Sequence, residues 1–108
     1  MTYAELTQAL LNAREAAKAY IDTEDGGTCN FDSPAIDYKA MHMQKSKVAD
    51  AIQSAGLRCF EWNCYKYKYL VVCGICAGQG NRRTQMAEAA HNYLKSAGIA
   101  TTMYYQMD

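Results

Sequence analysis

Two stretches of this chain end a helix in the same way. Ser54-Ala-Gly-Leu57 and Ser96-Ala-Gly-Ile99 stand 42 residues apart. In each, a glycine falls just past a run of helical periodicity, where the backbone turns left-handed and a Cβ would be unfavourable. An aliphatic residue follows, as a Schellman helix end requires. Each junction is preceded by a strand-like run and a helix-like run, and each is followed by another strand. The chain must therefore accommodate two strand-helix-strand units in tandem, joined by a hairpin.

The elements around these junctions follow from local signals. Thr2 and Glu5 form a capping box ahead of an apolar stripe at Tyr3, Leu6, Leu10, Ala13, Ala17 and Tyr20, which predicts a helix over 3–21. Residues 22–27 (DTEDGG) are an acidic glycine loop. Thr28–Asp32 reads as a short strand with Cys29 and Phe31 on one face. Ser33 before Pro34 reads as an N-cap and a first helical residue, predicting a helix to Ala55 with Ile36, Ala40, Met43, Val48, Ile52 and Ala55 inward. Leu57–Cys64 is a strand with Phe60, Trp62 and Cys64 on one face, and Tyr65–Lys68 turns the chain or extends it. Tyr69–Cys76 is apolar on both faces, as a central strand should be. After a glycine loop over 77–81, Asn81 is expected to cap a helix through Ala97, with Met86, Ala90, Tyr93, Leu94 and Ala97 inward. Ile99–Gln106 is the last strand.

The fold class expected is α+β. An N-terminal helix precedes a ferredoxin-like βαββαβ unit, a four-stranded antiparallel sheet with helices. All 108 residues form one domain: helix 1–21, acidic loop 22–27 and βαββαβ core 28–108. The helix stripe needs a surface, and the second face of the sheet is the expected one. No apolar run approaches the length of a bilayer span, and charges interrupt any leader-like stretch at the start. The five cysteines are an odd number, which points to reduced thiols and a cytoplasmic protein.

Formal net charge is zero, but it divides into blocks. Seven acids and two bases lie within residues 1–37, and nine bases and three acids within 38–95. A neutral chain has no general affinity for nucleic acid.

Chemistry is best placed at the strand-to-helix loop. Gly78, Gly80, Asn81, Arg82, Arg83 and Thr84 combine close backbone approach, a helix N-terminus and two guanidinium groups. That is the make-up of a site for a phosphate-bearing small ligand or nucleotide. The acids Glu24 and Asp25 are expected beside this loop, where they either neutralise the arginines or leave the site open. Cys76 and Arg82 have the spacing Cys-x5-Arg, which resembles the phosphate loop of tyrosine phosphatases. Arg83-Thr-Gln-Met-Ala-Glu-Ala89 is similar to the helix start of the low-molecular-weight members of that family. The resemblance implies Cys76 as nucleophile and Arg82 as oxyanion holder. Aligning on Arg83 instead puts Ala77 at the nucleophile position. The leaving group also needs an acid, and Asp32 is expected at the opposite edge of the sheet from Cys76. Cys73-Gly-Ile-Cys76 is five residues from its helix, so core thiols are the better reading than a redox pair. One close cysteine pair, with His42 and His91 in mid-helix, does not make a zinc site, and no metal or cofactor is expected.

Tyrosine is the compositional outlier, with nine copies. Tyr65, Tyr67 and Tyr69 are expected on one strand face, Lys66 and Lys68 on the other, and Tyr104 and Tyr105 on the last strand. With Trp62 they form the expected interface. Such a face can stack bases, but YKYLVVCG lacks the glycine-aromatic signature of RNA-recognition domains. The function expected is a non-catalytic interaction protein that binds a partner protein or itself, in the manner of a small inhibitor or regulator of phage or mobile-element type. The alternative is a binder of a phosphate-bearing ligand. A Cys-x5-Arg phosphatase stands behind both, and neither nucleic acid nor membrane is the expected partner.

Overall fold

The computed structural model describes residues 1–24, 32–76 and 80–105. These residues form three helices and one four-stranded antiparallel sheet, an α+β architecture. The elements are α1 (Tyr3–Lys18), β1 (Ser33–Ile36), α2 (Lys45–Ser54), β2 (Arg58–Cys64), β3 (Tyr67–Cys73), α3 (Asn81–Ser96) and β4 (Thr101–Tyr104). Strand order is β2-β3-β1-β4. β3 therefore lies between β1 and β2, and β1 lies between β3 and β4, so the two β-α-β units interleave.

Both repeated junctions are Schellman ends of the same geometry. Leu57 N–H donates to the Ile52 carbonyl at 3.1 Å and Gly56 N–H to Gln53 at 2.9 Å. Ile99 N–H donates to Leu94 at 3.0 Å and Gly98 N–H to Lys95 at 3.1 Å. Gly56 and Gly98 have φ of +78° and +86°. In each motif the aliphatic residue past the glycine is buried with the residue whose carbonyl it caps. The capping box at Thr2 and Glu5 is also formed.

Three expectations change. The Ser33-Pro34 pair begins a strand instead of a helix, and α2 starts at Lys45. The local signal for an N-cap is overridden by pairing: Ser33–Ile36 lies against β4, and all four residues are buried. Pro34 is tolerated because the register of β1 with β3 begins only at Ala35, so no ladder bond to β3 is required of it. Of the predicted strand Thr28–Asp32, residues 28–31 lie outside the described residues, and Asp32 precedes β1. Ile36 is buried in a strand, while Ala40 is exposed in the turn that follows. In that turn the Asp37 carboxylate accepts from Ala40 N–H at 3.0 Å, and His42 has a positive φ of 55°. His42 is thus in a turn and not in mid-helix.

The second change is at α3, whose N-cap is Gly80, with φ +60°, in place of Asn81. Ala97 is its exposed C-cap and does not face inward.

The third change is the place of α1. Its buried residues Leu6, Ala9, Leu10, Ala13 and Ala17 pack against α3 and α2 and not against the second sheet face. Alanines on both α1 and α3, including the buried Ala87 and Ala90, allow the two helices to approach closely. The main core lies between this helical layer and one sheet face, where Ile36, Leu70 and Val72 join Val48, Ile52, Met86 and Leu94. Among the described residues no helix packs on the other sheet face. No helix of the described residues is long and apolar enough to cross a membrane.

Candidate interaction surface

Strand alternation and register decide which side chains share the helix-free face. Phe60 stands opposite Val71, Trp62 opposite Tyr69, Cys64 opposite Tyr67 and Arg58 opposite Cys73. Ala35 continues the Val71 row, and Thr102 and Tyr104 of β4 stand opposite Ala35 and Ser33. Five aromatic rings thus belong to one face: Phe60, Trp62, Tyr67, Tyr69 and Tyr104.

The rings tile against one another. Trp62 stacks on Tyr69 with centroids 5.1 Å apart, and Tyr69 on Tyr67 at 6.3 Å. Tyr104 meets Phe60 edge-on at 5.5 Å and Trp62 at 4.9 Å. β2 and β4 are the two outer strands, so these rings meet only by lying across the sheet. Beneath them lies the row of Val71 and Ala35, both fully buried although neither belongs to the helix-side core. The aromatic layer is thus the roof of a second, thin core. Its outer surface stays open: Phe60 is 43% and Tyr67 48% exposed. Burial, with Asp37 nearby, holds the Tyr69 hydroxyl above its usual pKa.

The expected interface is gathered in part. Trp62, Tyr67, Tyr69 and Tyr104 share the face. Tyr65 does not: it occupies the β2-β3 turn with φ +57°, 99% exposed, a position that normally favours glycine. Tyr105 lies just past β4 and is exposed. Lys66 is in the turn, its ammonium 5.5 Å from the Tyr67 ring centroid. Phe60 was absent from the expected interface, although its alternation with Trp62 was the signal that could have placed it there.

At the strand-to-helix loop, Gly78 lies outside the described residues. Gly80 caps α3, and Asn81 is exposed at its start. The arginines and Thr84 hold neighbouring chain. Arg82 Nε donates to the Thr23 carbonyl at 2.8 Å. Arg83 Nε donates to the Asp32 carbonyl at 3.0 Å, and its Nη2 to Ser33 Oγ at 2.9 Å. Thr84 Oγ1 donates to the Asp32 carboxylate at 2.8 Å. The basic block thus meets the acidic one largely through backbone carbonyls. Glu24 is exposed, and Asp25 lies outside the described residues.

Asp32 is close enough to Cys76 to influence it, which corrects its expected place at the opposite edge. The shift of β1 toward the C-terminus turns Asp32 from the end of a strand into the residue before one. Burial, the largest effect, pushes the Cys76 thiol up to about 11, with Arg83 opposing and Asp32 adding to the rise. At neutral pH the thiol stays protonated, which is the wrong state for a nucleophile. Cys59 and Cys73 are also raised, first by burial. His91 Nδ1 lies 3.3 Å from Thr101 Oγ1, so it has a partner that the sequence did not suggest. Among the described residues no group of three metal-ligating side chains converges.

No family model matches the chain, and no curated protein or solved structure matches it.

Proposed function

We propose that this protein is a non-catalytic interaction protein that binds a partner protein through the helix-free aromatic face of its sheet. The observation that carries this reading is that α1 packs on the other helices, so that among the described residues no helix covers the face of Phe60, Trp62, Tyr67, Tyr69 and Tyr104, where Phe60 and Tyr67 are exposed. Tyr and Trp are enriched at protein interfaces because they supply large contact area with few rotatable bonds. Base stacking is less well served. Trp62 already has one ring stacked on it and another edge-on, and a nucleobase needs a free aromatic face. The phosphate-ligand reading is weakened because Arg82, Arg83 and Thr84 already hold the chain around Thr23 and Asp32.

The interleaving of the two β-α-β units supports the finer, ferredoxin-like reading of the topology. A cytoplasmic protein with reduced cysteines is consistent with this proposal, as is action as a small inhibitor or regulator by occupancy of a partner's surface.

The test compares wild type with the double variant Phe60→Ser/Tyr67→Ser as bait for affinity capture. Both rings are well exposed, so the fold should persist. A partner captured by wild type should be lost by the variant. The purified partner should also change the emission of Trp62, the only tryptophan. Identical capture by both baits, or an unchanged Trp62 spectrum, refutes the reading.

A further inference from the structure

We infer that two copies of this chain pair antiparallel through the outer edge of β2, centred on Phe60, to form one continuous eight-stranded sheet. The inference deepens the interaction reading by naming a partner for the aromatic side of the sheet, a second copy. It rests on the edge of the sheet and not on its face.

β2 is an outer strand of seven residues. Its register with β3 runs unbroken from Arg58 to Cys64, without a bulge, and the strand contains no proline. Its outward backbone groups have no hydrogen-bonded partner among the described residues. Edges left in this state are templates for another strand, and natural sheets usually blunt them with lysines, prolines, bulges or short length. The opposite edge, β4, is only four residues long.

The side chains of β2 select the occupant. Arg58, Phe60 and Trp62 alternate on the helix-free face, so their order reads as cation, ring, ring. In an antiparallel pair centred on Phe60, Phe60 faces its copy and each Arg58 faces the other chain's Trp62. Arg58, Phe60 and Trp62 then each meet a favourable partner, ring against ring in the middle and guanidinium against indole at both ends, while Cys64 lies beyond the paired stretch. On the other face Glu61 would stand opposite Cys59 and keep its ion pair with Lys45. Neighbouring registers are worse. Centring on Glu61 sets two carboxylates opposite each other, and centring on Trp62 leaves Arg58 without a ring. A foreign strand needs no such self-complementarity. Zero net charge also spares two copies long-range repulsion. Pairing would cover Phe60, which is 43% exposed in the single chain.

The test uses the purified 108-residue chain alone. Sedimentation equilibrium from about 1 μM to about 100 μM should show the mass rising toward twice 12.0 kDa. Over the same range, amide exchange in Arg58–Cys64 should slow by about tenfold. Phe60→Lys should weaken association by at least about tenfold while circular dichroism is unchanged. If that variant does not fold, Arg58→Glu, exposed at the strand end, should weaken association in its place. A mass of 12.0 kDa throughout overturns the inference. So does a dimer whose β2 amides exchange at a concentration-independent rate, the signature of face-to-face association. A monomeric chain that still captures a partner through its aromatic face defeats edge pairing alone. An edge-paired dimer without such capture defeats the partner reading alone.

Discussion

Replacing Arg83 by alanine removes hydrogen bonds that hold the start of β1. They run from Nε to the Asp32 carbonyl at 3.0 Å and from Nη2 to Ser33 Oγ at 2.9 Å. Hydrogen bonds to charged groups contribute about 1.5–3 kcal/mol each. Arg83 is only partly buried, so the lower end applies and the pair is worth about 3 kcal/mol. Ser33 is 1% exposed, which limits its rescue by water. At about 4 °C per kcal/mol for a chain of this size, Arg83→Ala should melt about 12 °C below wild type. Arg82→Ala loses the bond to the Thr23 carbonyl, worth about 1.5 kcal/mol, and should fall by about 6 °C. Arg83→Lys keeps the charge but not the fork, and should lie between wild type and alanine. Thermal circular dichroism measures all three, and urea unfolding should show an unchanged slope. If Arg83→Ala melts within about 3 °C of wild type, the guanidinium does not anchor β1 and a role as a ligand clamp regains its standing.

The repeated helix ends make a paired prediction. Gly56→Ala and Gly98→Ala each force a side chain into a left-handed backbone, at about 1–2 kcal/mol. Among the described residues a new Cβ meets Arg14 Nη1 at 3.5 Å in the first case and nothing within 4 Å in the second. The two losses in urea unfolding should therefore agree within about 0.5 kcal/mol, and a larger gap means the junctions are not equivalent. Cys76 predicts an alkaline limb of stability. Its thiol keeps its proton to about 11 when folded and loses it near 9.0 when unfolded, so its contribution is complete below pH 9 and lost as pH rises toward 11. That amounts to about 3 kcal/mol at most. Stability measured from pH 8 to 10.5 should fall less steeply in Cys76→Ala, and an identical slope in the two proteins removes the burial argument.

Local chemistry made several elements readable in advance. The capping box at Thr2, the two Schellman ends and the alternation in β2 and β3 depend on residues close in sequence, so they survive folding with little change. Ser33-Pro34 shows where this stops. The pair carries a correct local signal for a helix start, but β4 and the Arg83 side chain, both distant in sequence, make it a buried strand. The same displacement carried Asp32 to the end of the sheet near Cys76.

By itself, the amino-acid order determined most of the kinds of element, Ser33–Ile36 excepted, and which side chains of β2 and β3 point the same way. Each of these follows from periodicity or from a cap within a few residues. Which surface α1 would cover was decided only in three dimensions. Its alanine-lined stripe fits both a sheet face and a pair of helices, and periodicity cannot rank them. The ranking came from close packing against α3 and α2, and from a sheet face whose own rings already roof Val71 and Ala35. That choice left the aromatic face and the β2 edge open, and it is there that function is to be sought.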